Sequence, residues 1–298
     1  MRPWVQDVIT EAFTSLGPVT VRATERRGHA QEIAAEAQAA GHTLVVTFGG
    51  DGTINEAVNG LLSNGPGPGV PTLATLPGGH TNVVPRLLGY APDPIEATSQ
   101  AITAAREHHT RIINLATADD RWFVFSAGLG LDAEVLRRVE AQRAQGAKAS
   151  IPRYAASAIL AHATTTSPLG KPQLCLEIPD TDPIDGIFTA VIQNSSVWTY
   201  VGSLPITFAP DASFENGLWV YGIPSLDPIS LGNRLILATL SPGRLDPTGA
   251  NLPEFALSAE TPTPFQLDGD VVGERTRITF TSVPAALRVL VPAASDNE

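Results

Sequence analysis

Hydrophobic positions recur along this chain with two different periods, and the change from one to the other marks its organisation. In the first hundred or so residues the helical period dominates. Val5, Val8, Ile9, Ala12, Phe13 and Leu16 stand on one helical face and stop at Gly17-Pro18, which predicts an opening amphipathic helix. Residues 19–23 read as a strand, 29–40 as a helix closed by Gly41, and 44–48 as the next strand. The nearly unbroken apolar run of 44–48 is the pattern of a strand buried on both faces of a parallel sheet. Ile54, Ala57, Val58, Leu61 and Leu62 then give a helix with one buried face, 72–76 a short strand, and 83–88 a further helix. Asp93-Pro94 supplies the cap and first turn of a helix reaching about residue 109. Strands alternating with helices predict an α/β fold with a parallel, doubly wound sheet.

From residue 110 the period shortens. Runs 111–117 and 122–126 read as a hairpin, and 174–178, 187–194, 217–223 and 255–259 as short strands between Pro-, Gly- and Asp-rich turns. Asp268-Gly269 is a hairpin signal, and 277–283 and 286–291 read as closing strands. Only residues 132–163 interrupt this texture with a helical pattern. The expected division is an α/β domain over residues 1–110 and a β-rich sandwich over 111–298, whose last strand is a candidate to return toward the first domain.

Charge and composition narrow the function classes. The 298 residues carry 30 acidic against 19 basic side chains, a formal charge of −11, with 43% hydrophobic residues. Such acidity argues against nucleic acid as a partner and against general attraction to anionic lipid, so any membrane contact must be local. Arg137, Arg138, Arg143, Lys148 and Arg153 form one basic cluster in the acidic chain, a candidate contact for anionic head groups and equally readable as a solvated helix face. The single Cys175 excludes an intramolecular disulfide and fits a reducing compartment. No apolar run is long enough to span a bilayer and no signal-peptide pattern opens the chain, so a cytoplasmic location is expected, peripheral on the inner membrane face if the basic cluster meets lipid.

The chemistry concentrates between residues 44 and 62, where an apolar strand runs into a glycine turn and then a helix. Gly49, Gly50 and Gly52 are expected to supply positive φ and to let backbone N–H groups approach a ligand closely. Those amides and the helix N-terminus together suit an anion. Asp51 within the glycines would repel a bare phosphate, so the sensible role is a carboxylate serving Mg²⁺ on phosphate. Neither a Walker pattern nor a Gly-x-Gly-x-x-Gly fingerprint occurs in this stretch.

Gly49-Gly50-Asp51-Gly52-Thr53 is the nucleotide-loop signature shared by diacylglycerol, sphingosine and NAD kinases and phosphofructokinases. Its continuation through Asn55-Glu56 and Asn59-Gly60-Leu61 resembles the lipid-kinase branch, the diacylglycerol kinase catalytic-domain family. Pro77, Gly79 and Asn82 match that family's Pro-x-Gly-Thr-x-Asn turn, with His80 in place of threonine, and Arg86 and Gly89 match the helix that follows. Gly128, Gly130, Asp132 and Ala133 resemble its G-x-G-x-D-A motif, and Asp268-Gly269-Asp270 its Asp-Gly-Glu. Two departures stand out. The family's first strand with its Asn-Pro-x-x-Gly turn has no counterpart, so the natural start is expected upstream of Met1 or another segment fills the gap. At residues 211–217, Asn216 replaces an aspartate that in some members holds a structural Mg²⁺.

The resemblance implies an ATP-dependent lipid kinase with a diacylglycerol-like acceptor at a membrane surface, serving phospholipid metabolism. Gly49, Gly50, Gly52 and Thr53 would cradle phosphates, Glu56, Gly79 and Asn82 would serve the nucleotide side, Asp51 and Asp132 the Mg²⁺, and Asp268 would accept the hydroxyl proton. Asn82 also reads as the N-cap of the helix after it. A catalytically silent lipid- or nucleotide-binding homologue and an NAD kinase remain alternatives, and a monomer or a homodimer is left open.

Overall fold

The computed structural model describes residues 3–130, 174–224 and 228–293. They separate into two compact units, one of residues 1–114 with 284–298 and one of 115–283. The first unit holds α1 (Pro3–Thr14), α2 (His29–Ala39), β1 (Leu44–Gly49), α3 (Asp51–Leu61), β2 (Thr72–Pro77), α4 (Val83–Leu87) and α5 (Pro94–Glu107). The chain continues through β3 (Thr110–Ala118), β4 (Arg121–Phe123) and β5 (Ser126–Leu129). After residue 173 come β6 (Leu174–Glu177), β7 (Ile184–Ile187), β8 (Thr189–Gln193), β9 (Thr199–Val201), β10 (Leu204–Ile206) and β11 (Leu218–Ile223). Then follow α6 (Pro228–Leu240), β12 (Gly249–Leu252), β13 (Glu254–Leu267) and β14 (Asp270–Leu290). The helix expected over 132–163, with its basic cluster, lies outside the described residues.

In the first unit β1 and β2 run parallel in register from Leu44 opposite Thr72 to Gly49 opposite Pro77. Val289, near the end of β14, pairs in parallel with Leu73 of β2. Helix α3 packs on β1, α5 on β2, and α1 against α5. Ile54, Val58 and Leu61 of α3 are at most 1% exposed, each contributing about 1.5–3 kcal/mol through burial. Asp93 caps α5 as its position predicts, its Oδ1 accepting from the N–H groups of Ile95 and Glu96. Tyr90 anchors the end of β14 by donating its hydroxyl to the Leu290 carbonyl at 3.0 Å.

Two expectations give way here. Residues 19–23 are not a strand; they lie in a connection that pairs with no described strand, Val19 and Val21 being more than 40% exposed. Strand status needs a partner, and β-propensity without one leaves only an extended segment. Nor is β1 buried on both faces, because it is the terminal strand of its sheet and Leu44, Val45, Val46 and Phe48 are half-buried.

Helices α2 and α3 meet with almost no space between them. A Cβ added to Gly60 would lie 2.1 Å from the backbone oxygen of Gln31 and 2.9 Å from the Ala34 Cβ. The neighbour is backbone, so the helices must part. Gly60→Ala is expected to cost about 3 kcal/mol, at the upper end of overpacking changes, read as a lowered midpoint in urea at unchanged slope.

The second unit is β-rich and antiparallel. β13 pairs with β14, β5 and β6, β5 with β8, β8 with β11, and β11 with β12. Phe255 and Phe280 stack at 5.0 Å in its main core, with Phe123 edge-on to Phe280 at 6.2 Å. A second cluster joins Ala238 of α6 to Val191, Ile206, Phe208 and Tyr221.

Candidate functional site

In the first unit two glycine turns lie back to back. One follows β1, where Gly50 is the extended N-cap of α3, and Asp51 already begins the helix. Only Gly49 and Gly50 therefore form the turn, while Asp51, Gly52 and Thr53 are the first helical turn. None of the three glycines takes positive φ, contrary to expectation. They answer a different need, the close approach of chains. A Cβ on Gly79 would sit 2.5 Å from the Gly50 Cα, one on Gly78 2.8 Å from the Gly49 nitrogen, and one on Gly49 2.7 Å from the Thr53 hydroxyl. The Gly78 N–H donates to the Gly49 carbonyl at 2.9 Å, tying the turns together.

Asn82 and Asp51 exchange the roles that sequence position suggests. Asn82 stands at the N-cap position of α4 but in left-handed backbone, φ 51 and ψ 53, and makes no cap bond. Its side chain turns back, Oδ1 accepting from the Gly79 N–H at 2.8 Å and Nδ2 donating to the Gly79 carbonyl at 3.0 Å. That closes the 79–82 loop, with His80 exposed on it. The N-terminus of α4 is capped instead by Asp51, whose Oδ2 accepts from Val83 at 3.0 Å and Oδ1 from Val84 at 2.9 Å. Burial pushes the Asp51 carboxyl above its ordinary value, against the amides of Val84 and Val83, which favour the anion.

The remainder of the motif joins α3 to α2. Glu56 Oε1 accepts from the Gly28 N–H at 2.7 Å and Oε2 from Ala30 at 3.1 Å, capping α2, which has no side-chain cap of its own. Gly60, one turn on, gives the close contact with Gln31. Asn59 donates to the carbonyl and side-chain oxygen of Asn55, both residues buried. Glu56 is thus placed at a helix joint, while Gly49, Gly50, Asp51, Gly79 and Asn82 are brought together around the paired turns.

In the second unit Asp268 and Gly269 form the two-residue turn between β13 and β14, both at positive φ, as a type I′ hairpin requires. Asp268 is 4% exposed. Its Oδ2 accepts from the Val124 N–H at 2.7 Å, and Oδ1 from Phe125 at 2.9 Å and Ser126 at 3.1 Å. The carboxylate thereby organises the segment between β4 and β5. Sequence reasoning missed Asn194, which is fully buried and donates to the Val124 carbonyl at 2.8 Å while its own N–H bonds Phe125. Its signal was the polar run Gln193-Asn194-Ser195 at the end of an apolar strand.

Asp132 lies outside the described residues. Among those described, no group of three or more His, Cys, Asp or Glu is placed to hold a metal. The loop at residues 211–217 is closed by Asn216, whose Oδ1 accepts from the Ser213 N–H and whose Nδ2 donates to the Asp211 carbonyl. No described helix is long and apolar enough to cross a membrane.

Residues 4–117 match the model of the diacylglycerol kinase catalytic domain. A diacylglycerol kinase of Bacillus subtilis (strain 168) is 35% identical over 123 residues, 41% of this chain and 39% of that protein. A probable lipid kinase YegS-like protein of Chromohalobacter salexigens is 32% identical over 133 residues, 45% of this chain and 41% of that protein. The match thus spans about two-fifths of these relatives' length. A YegS-like counterpart from Pseudomonas aeruginosa PAO1 is 28% identical over 93% of this chain and 86% of its own length. The fold is that of a diacylglycerol kinase from Bacillus anthracis str. Sterne, with a TM-score of 0.69 at 21% identity over 91% of this chain and 85% of that one. An NAD kinase from Archaeoglobus fulgidus in complex with ATP shares it more distantly, with a TM-score of 0.53 at 14% identity over 98% and 91%.

Proposed function

We propose that this chain, whose residues 4–117 match the model of the diacylglycerol kinase catalytic domain, is a lipid kinase of that family and transfers the γ-phosphoryl group of ATP to the hydroxyl of a diacylglycerol-like lipid. The observation that carries this reading is the pair of glycine turns pressed together at the N-terminus of α3. The positive end of the α3 dipole faces this turn, and the backbone there carries no Cβ at Gly49 or Gly50 to keep a phosphate away.

The chain's own residues divide the work. Gly49 and Gly50 present backbone to the phosphates, with Gly52 and Thr53 in the helical turn whose dipole favours negative charge. Asn82 holds the 79–82 loop in shape against them, and Asp51 fixes the start of α4 beside both. The Asp51 carboxylate already takes the amides of Val83 and Val84 and bonds those of Asp51 and Asn82, so it would serve a Mg²⁺ carried mainly by phosphate rather than build an all-protein cage. When bound, Mg²⁺ would offset the charge on the transferring group. Asp268 would orient the acceptor hydroxyl and take its proton as the bond forms, which suits a loose transition state with little need for a strong base. The acceptor lies at a membrane surface, with cytoplasmic protein meeting it peripherally.

The test is transfer of label from Mg-ATP carrying a labelled γ-phosphate into organic-extractable lipid from a mixed panel. Label in diacylglycerol is expected. Label in NAD instead would make the chain an NAD kinase, and ATP binding without transfer to any acceptor would make it a silent homologue.

A further inference from the structure

Among the described residues, helix α6 is held to the second unit through Ala238 and Arg234. Ala238 is fully buried in the cluster with Ile206, Phe208 and Tyr221, and its carbonyl accepts from the Thr207 N–H just beyond β10. The Arg234 guanidinium lies over the Tyr221 ring at 5.6 Å and donates to its hydroxyl. With those contacts fixing the helix rotation, Ile236 and Leu240, four apart on the same face, point outward at 54% and 72% exposure. Leu204, at the start of β10 on which α6 packs, is 36% exposed.

We propose that α6 and the β9–β10 hairpin form a docking surface for a lipid bilayer, with Ile236, Leu240 and Leu204 entering the interface. The lipid identity of the occupant rests on the lipid-acceptor reading above. Charge supports it independently of that reading. In a chain with 30 acidic residues, residues 188–210 contain no Asp, Glu, Lys, Arg or His, and 228–245 contain no acidic side chain, only Arg234 and Arg244. An anionic head-group layer, which repels an acidic chain on the whole, meets no carboxylate in these stretches. The extent of the patch argues the same way. Three aliphatic side chains, each already partly covered, fall short of the ~800 Å² that each partner buries in a stable protein pair. An amphipathic helix lying in an interface needs only a shallow apolar face.

The test is sedimentation of the full chain with mixed phosphatidylcholine and phosphatidylglycerol vesicles, comparing wild type with the Ile236→Ser/Leu240→Ser double variant. Wild type is expected to bind and the variant to bind at least about tenfold more weakly, with the same thermal midpoint and the same sedimentation behaviour without lipid. Transfer to long-chain diacylglycerol in vesicles should fall with binding, while transfer to a short-chain diacylglycerol in solution should stay equal. Equal vesicle binding by the two proteins, or none by wild type, overturns the docking surface. A wild-type dimer that the variant converts to monomer also overturns it, giving the face to a second copy. Should wild type bind vesicles, the variant lose that binding, and neither phosphorylate any lipid, the docking surface stands and the kinase reading falls.

Discussion

Asp268→Ala is expected to cost the second unit about 3 kcal/mol or more, because it strips the acceptor from three N–H groups at once. Val124, Phe125 and Ser126 all donate to this carboxylate, and each buried donor left without a partner costs about 1–3 kcal/mol. Alanine also loses the tolerance of left-handed backbone that aspartate has, and residue 268 sits at φ 49. Urea denaturation would show the loss as a lower midpoint. Asp268→Asn is the more informative partner. Its amide oxygen can still accept from Phe125 and Ser126, but its nitrogen is a donor facing the Val124 N–H, so an intermediate loss of about 1–2 kcal/mol follows. If Asp268 also takes the acceptor proton, the asparagine variant should lose about 10²-fold or more in turnover under conditions where it is fully folded. A folded variant with wild-type turnover removes the proton-acceptor role. A variant as stable as wild type removes the structural one.

What was legible in the sequence was what depends on near neighbours. The periodicity of Val5, Ile9 and Phe13 gave α1, the Asp93 cap reaches only two and three residues ahead, and Asp268-Gly269 marked its hairpin by the residue types that tolerate positive φ. The strand–turn–helix around Asp51 was likewise readable, because its apolar run, glycines and amphipathic helix follow one another directly. The illegible features are those set by a partner far along the chain. Val19 and Val21 have strand propensity, and no nearby residue could reveal that no described strand pairs with them. Glu56 caps a helix that begins 27 residues earlier, and Asp51 one that begins 32 residues later. Neither cap leaves the local spacing by which N-caps are recognised. Asn82 misled for a related reason. It stands at the cap position, but its left-handed backbone aims the side chain at Gly79, while the carboxylate of Asp51 takes the amides that Asn82 would have bonded.

The glycines carry the same lesson into the site and allow its two functions to be separated. Gly79→Ala is expected to lower kcat/KM for ATP by about 10²-fold, the scale of a 1 Å misplacement at a reacting centre. The added Cβ would stand 2.5 Å from the Gly50 Cα and 3.1 Å from Asn82 Oδ1, so the two turns must part, disturbing the cradle from within. Gly50→Ala places its Cβ 3.5 Å from the Gly79 Cα, an ordinary contact, and at φ −87 it carries no backbone strain. The protein without ligand should accept it with an unchanged melting temperature. If the amides at this turn hold phosphate, that methyl stands where the ligand approaches, and ATP affinity should fall while stability does not. Gly67→Ala, whose Cβ meets nothing within 4 Å, serves as the control and should change neither. Isothermal titration with Mg-ATP beside thermal melting reads the Gly50 and Gly67 variants, and steady-state kinetics at varied ATP reads the Gly79 variant. Unchanged affinity in the Gly50 variant would move the phosphates away from this turn, and an unaffected Gly79 variant would mean that the 79–82 loop does not shape the nucleotide site.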